Sequence, residues 1–249
     1  MTPIAARRCI ASWLLLAAVA GCRSESKTTI AQGSAPEQET VARAPELDSR
    51  YPAHWWTTVD KDGAPGWEIL PQEAGPGEVI LSKRDDELGL LSNFAATPFE
   101  FRGKRYASIE GFWQMMKYPE GSDDSRAKHP GLEWLHTRDE VAQMTAFDAK
   151  RAGDIASRNM EEMGIDWVTF EGKKMSYKPE EPGEHYRLIV KATREKVRQN
   201  ADVERVLLST GDLVLKPDHH QERDAKAAWR YYEILMDIRG ELRKPQTGE

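Results

Sequence analysis

Residues 108–119 read Ser108-Ile109-Glu110-Gly111-Phe112-Trp113-Gln114-Met115-Met116-Lys117-Tyr118-Pro119, and their spacing decides what kind of fold the chain can form. Ser108 stands where an N-cap belongs, because its hydroxyl can accept a first-turn N–H, and Pro119 closes the run. The spacing predicts a helix to about Lys117. Ile109, Phe112, Trp113 and Met116 make its apolar stripe. Glu110, Gln114 and Lys117 make a second stripe, roughly 110° round from the first at about 100° per residue. A polar stripe that borders the apolar face is partly desolvated and can line a pocket wall. A carboxylate there keeps Coulombic strength that bulk water would remove. Spacing alone also fits a solvated helix edge.

Outward from this helix, Phe99-Glu100-Phe101 and Lys104-Arg105-Tyr106 flank Arg102-Gly103 as a hairpin. Val79-Ile80-Leu81 and Leu213-Val214-Leu215 are short apolar runs of strand type. Periodicity predicts further helices over 132–144, 146–163, 185–199, 201–209 and 225–242. The expected fold is therefore mainly α (α+β): one multihelical domain over 78–243, with a small β element near its start. Residues 51–77, with Trp55, Trp56 and Trp67 among Pro and Gly turns, are expected to wrap it irregularly, and 244–249 to form a flexible tail.

The first fifty residues have a different chemistry. Arg7 and Arg8 precede an apolar run over 10–20 that, at about eleven residues, is too short to span a bilayer core but has signal-peptide size. Val19-Ala20-Gly21-Cys22 resembles the lipobox of bacterial lipoprotein precursors. Residues 1–21 are thus read as a cleaved leader, Cys22 as the lipidated N-terminus, and 22–50 as a disordered tether poor in large apolar side chains. The expected location is the periplasmic face of the outer membrane, held there by the lipid anchor. Cys9 and Cys22 are the only two cysteines, so the mature domain offers no disulfide and no thiolate metal ligand. About 180 residues remain beyond the tether, enough for a well-buried core. A net charge of −6 argues against general nucleic-acid binding, without excluding a nucleotide pocket.

The ordered set Ser92-Asn93-Phe94-Ala95, Pro98-Phe99, Gly103, Tyr106, Ser108, Glu110, Gln114 and Lys117 resembles the signature of the NADAR superfamily, also called YbiA-like. So do Ala149-Lys150-Arg151-Ala152-Gly153, Leu207-Leu208-Ser209-Thr210-Gly211, Leu213-Val214-Leu215 and Ile234-Leu235-Met236-Asp237-Ile238-Arg239, extending the resemblance over residues 78–242. It implies a compact YbiA-like domain that cleaves N-glycosidic bonds of ribosyl or ADP-ribosyl compounds, such as riboflavin-synthesis intermediates or ADP-ribosylated guanine. By motif position Glu110 matches the essential glutamate, Asn93 the asparagine of the Ser-Asn-Phe element, and Gln114 and Lys117 the helix positions that follow. Two departures stand out. Gly111 occupies a place where many members have His, and Pro217-Asp218-His219-His220 with Ala228-Trp229-Arg230-Tyr231-Tyr232 replaces a Trp-Gly loop and an Asn-x-Leu-Gly stretch.

Cleaving an N-glycosidic bond builds positive charge on the sugar and negative charge on the leaving base. Glu110 is the expected carboxylate for the first, and Asp218 or His219 the expected donor for the second. Lys117 is assigned to a phosphate and Asn93 to ribose hydroxyls or a base edge; Gln114 joins them on the wall. Trp113 and Trp229 are stacking candidates, though both suit the core. No cofactor is expected, and no metal, since His219 and His220 lack a third ligand. The expected partner is a small ribosyl or ADP-ribosyl compound, or an ADP-ribosylated macromolecule. The alternatives are a non-catalytic ADP-ribose or nucleotide-binding module tethered at the envelope, and a scaffold whose pocket has decayed.

Overall fold

The computed structural model describes residues 49–244 except 85, 178, 180, 181 and 222–224. The leader, Cys22 and nearly all of the tether lie outside the described residues, as does the tail beyond Lys244. No described helix is long and apolar enough to cross a membrane.

The described residues begin with three single 3₁₀ turns, Ala53–Trp56, Lys61–Gly63 and Pro71–Glu73, which bury Trp55 and Pro71. Then follow β1 (Glu78–Ile80), α1 (Asp86–Gly89), β2 (Phe99–Phe101), β3 (Lys104–Tyr106), α2 (Ile109–Met115) and α3 (Arg138–Ala142). The order continues with α4 (Ala146–Glu162), β4 (Trp167–Phe170), β5 (Lys173–Ser176), α5 (Glu184–Gln199), α6 (Ala201–Ser209), β6 (Val214–Lys216) and α7 (Tyr231–Leu242). The fold is α+β and mainly helical. Among the described residues the strands form three separate pairs: β1 with β6 in parallel, β2 with β3 and β4 with β5 as hairpins. The β1–β6 register, Val79 opposite Leu215, ties the first strand of the domain to the last.

Both hairpins turn on two consecutive residues with positive φ, Arg102-Gly103 at 51° and 74° and Glu171-Gly172 at 51° and 74°. Such turns match the right-handed twist of the flanking strands. The hairpins bring Phe99, Phe101, Tyr106 and Phe170 around Phe112 of α2, with Phe112 edge-on to each. α5 packs against α2, α6, α7 and β2, so it closes the same core from the other side.

Two helices are shorter than periodicity predicts. The 132–144 segment is helical only from Arg138. Trp134 is instead drawn onto Tyr118, its indole N–H bonding the Arg126 carbonyl at 3.1 Å, and Thr137 starts the helix through a reciprocal cap with Glu140. The 225–242 segment is a 3₁₀ turn over Ala227–Trp229, then a break at Arg230 (φ −84°, ψ 60°), then α7. In both, tertiary contacts of one aromatic or one off-helix residue outweigh a continuous apolar pattern.

Candidate active site

α2 is short, and it is held at both ends. At its start the Ser108 hydroxyl accepts the Gly111 N–H at 2.9 Å and donates to the Met144 carbonyl at 2.9 Å. The Glu110 N–H bonds the Asn93 carbonyl at 2.9 Å, so the Ser92–Phe94 segment lies across the helix N-terminus. The neighbouring Phe94 carbonyl accepts the Ala146 N–H of α4 at 3.1 Å. One turn dipeptide thus receives the first turns of two helices.

At the other end two arginines, Arg126 buried and Arg138 half-buried, gather the last carbonyls. Arg126 donates to the Met116 and Lys117 carbonyls at 3.0 Å each, and Arg138 to those of Met115 and Tyr118 at 3.1 and 2.8 Å. Both also reach Thr169 of β4. Guanidinium groups at a helix C-terminus satisfy carbonyls and oppose the negative end of its dipole.

The Glu110, Gln114 and Lys117 stripe faces α4. It is buried more deeply than an edge position suggests: Glu110 is 7 % exposed, and the other two no more. Gln114 donates its amide to Glu110 Oε1 at 2.7 Å, while its own Oε1 is buried without a partner. Lys117 Nζ bonds the Gly153 carbonyl at 3.3 Å and Ser157 Oγ at 2.8 Å, and lies 4.9 Å over the Tyr177 ring. Burial pushes the Glu110 carboxyl up from its ordinary value, and the Gln114 bond with the charges of Lys117 and Lys150 pulls it partly back. Lys150 and Asp154, paired at 2.5 Å on the exposed side of α4, stand at the outer margin of this cluster.

Two glycines make the approach of α2 to its neighbours possible. A Cβ at Gly153 would sit 1.9 Å from Gln114 Oε1, so only glycine lets the amide lie on α4. A Cβ at Gly111 would sit 2.5 Å from the Met144 carbonyl and 2.9 Å from that of Val141. The departure at 111 therefore has a packing cause, since any side chain there would strike backbone.

Beyond Lys117 lies His185, in the first turn of α5. It is 1 % exposed, edge-on to Trp113 at 5.0 Å and Tyr177 at 5.4 Å, with neither ring nitrogen hydrogen-bonded. Burial, with the Lys117 charge adding to it, lowers its pKa to about 4. Trp113 is a core residue whose indole N–H bonds the Tyr177 hydroxyl at 3.2 Å. Further along α5, the buried Lys196 donates to the Ser92 carbonyl at 2.7 Å, and burial lowers its pKa to about 7.

Asp218 and His219 belong to a second cluster. Buried Asp218 pairs with Lys83 through Oδ2 and with His219 Nδ1 through Oδ1 at 3.0 Å. Burial raises its pKa, but the bonds from His219 and Lys83 and the Lys83 charge outweigh that and hold it below the carboxylate range. Asp218 is thus a fixed anion. His219 is partly exposed and stacks on Tyr231 at 6.4 Å, with Gln221 at 3.2 Å from Nε2. Trp229 stands at the surface, its carbonyl accepting the same Gln221 amide. The side-chain partners of Asp218 and Glu110 are different, and the Ser92–Phe94 segment lies between the clusters, with Lys83 Nζ 5.4 Å from the Phe94 ring. Among the described residues no group of three His, Cys, Asp or Glu could hold a metal ion.

Sequence reasoning passed over Lys83, His185, Lys196, Arg126 and Arg138, whose long-range partners no local pattern announces. Gly153 carried a signal, a glycine inside a long helix. Compared with known proteins, the sequence matches no family model and no curated protein. Among solved structures the chain is similar to the NMR structure of the E. coli protein YbiA, with 23 % identity over 65 % of this chain and 81 % of that chain, and a TM-score of 0.41.

Proposed function

We propose that this chain is an N-glycoside hydrolase acting on a ribosyl or ADP-ribosyl compound, with Glu110 as the carboxylate beside the anomeric carbon. The observation that carries the reading is a buried carboxylate that pairs with an amide and faces cations without a direct ion pair. Such a group is costly to ionise until an opposite charge arrives, and the oxocarbenium-like sugar of the transition state supplies that charge. The motif resemblance over 78–242 supports the same reading. In the proposed reaction the bond from the anomeric carbon to the base nitrogen breaks, the base leaves with that electron pair and gains a proton, and water adds its oxygen to the sugar carbon.

Gln114 orients Glu110 in this scheme, and Lys117 is the cation for a phosphate oxygen. Asn93, on the segment across the start of α2, is the residue for ribose hydroxyls. The ionised state of Asp218 makes it an orienting anion for His219, so the proton for the base falls to His219. On the same reading the protein is exported and tethered through Cys22; radiolabelled lipid incorporation, lost in Cys22→Ala, is the expected result.

The direct test is turnover of ADP-ribosylated guanosine followed by chromatography. Glu110→Gln keeps the shape and removes the charge, and release of base is expected to fall by at least about a hundredfold. Equal turnover by the variant would remove Glu110 from the chemistry.

A further inference from the structure

We propose that Trp67, Lys83, Phe94 and Phe147 form a stacking platform for the planar base of the substrate, an inference that rests on the hydrolase reading above. Three aromatic residues are exposed among the described residues, Trp67, Phe147 and Trp229, and two of them stand in this row. Trp67 is 46 % exposed and Phe147 51 %. Lys83 Nζ lies 5.9 Å from the Trp67 ring centre and 5.4 Å from that of Phe94, and Phe94 meets Phe147 edge-on at 5.3 Å. Exposed rings of this size are costly in water unless something covers them, and a base offers a flat face of matching polarity.

The platform is anchored on both sides. The Trp67 carbonyl accepts the His220 N–H at 3.2 Å and the Ile69 N–H bonds the Asp218 carbonyl at 2.9 Å, so the 67–69 loop is laced to the late loop. Arg84 and Glu68 close it with a paired contact at 2.6 and 2.7 Å. On the far side Ala146, whose N–H holds the Phe94 carbonyl, has φ +48°, a strained conformation for alanine that directs the chain into Phe147.

Position and charge select the occupant. Phe94 follows Asn93, whose carbonyl holds the Glu110 N–H, so a ring on the platform adjoins the candidate reacting centre by one residue. Lys83 spends one N–H on Asp218, which leaves an ammonium between two rings to donate to an acceptor edge such as purine O6 or N7. His219, on the same Asp218, precedes His220, whose N–H holds the Trp67 carbonyl. Trp67 belongs to the segment that precedes the resemblance, so this subsite would be a property of this chain.

Calorimetry on the full chain with guanosine, and separately with ribose 5-phosphate, tests the proposal. Trp67→Ala and Phe147→Ala are each expected to weaken guanosine binding by about tenfold or more and to leave ribose 5-phosphate binding unchanged. Trp67→Phe, which keeps an aromatic face, is expected to restore most of the loss. Undiminished guanosine affinity in both alanine variants, or equal loss for both ligands, would overturn the platform. Base release by wild type and its dependence on Glu110 are measured independently, so the hydrolase reading and the platform can fail separately.

Discussion

Gly153 and Gln114 show how a single missing methyl group shapes the site. The amide occupies the space a Cβ would fill, 1.9 Å from that position, so Gly153→Ala must push Gln114 away from Glu110 or α4 away from α2. Overpacking of this kind costs about 1–3 kcal/mol, and urea unfolding should show it together with reduced turnover. Gly240, in α7, has nothing within 4 Å of its Cβ position, and Gly240→Ala should instead stabilise by about 0.5–1 kcal/mol. Similar effects of the two changes would contradict the described packing. At this scale much was legible: Ser108 as a cap, Glu110 on a stripe beside the core, and Gly111 as a departure. The depth of burial was not, because the spacing of Glu110, Gln114 and Lys117 specifies a face of α2 but not that α4 covers it.

Elements are held here by long-range polar contacts as much as by periodicity. α2 ends where Arg126 and Arg138 reach its carbonyls, and Arg126 also bonds Asp124 at 2.7 Å and lies 4.9 Å over Trp167. Arg126→Met would leave Asp124 and two carbonyls without their cation, and breaking a buried pair in this way costs about 3–5 kcal/mol. The exposed pair of Arg205 with Asp202 is a control, since Arg205→Met should cost under about 1 kcal/mol. Comparable losses in thermal unfolding would mean that Arg126 is no anchor. The hairpin at Arg102-Gly103 was readable from local turn chemistry. The β4–β5 hairpin on Glu171-Gly172 carried the same signal and was missed, while the early parts of the 132–144 and 225–242 segments lost their helices to contacts that no window of sequence contains.

Across the whole molecule, two buried bases make stability depend on pH in one direction. His185 has its pKa lowered from 6.5 to about 4, so the unfolded chain binds more protons in that window and stability falls as pH drops through it. Lys196 has its pKa lowered from 10.5 to about 7, so stability rises as pH climbs from 7, by up to about 1.4 kcal/mol per unit. His185→Phe should flatten the acid slope and Lys196→Met the alkaline one between about pH 7 and 9; unaltered slopes would contradict their burial. Both residues lie on α5, and Lys196 holds the Ser92 carbonyl beside Asn93, so the same helix supports the core and the segment across the start of α2. The mainly helical α+β class was legible from apolar periodicity, whereas the parallel closure of β1 on β6 was not, since neither run names its partner. The central claim is hydrolysis at a sugar carbon assisted by Glu110, and isotope labelling in ¹⁸O-water tests it most directly. Mass spectrometry of the sugar product from ADP-ribosylated guanosine should find one solvent oxygen with wild type and no product above background with Glu110→Gln; ligand recovered intact after tight binding to wild type would contradict the account.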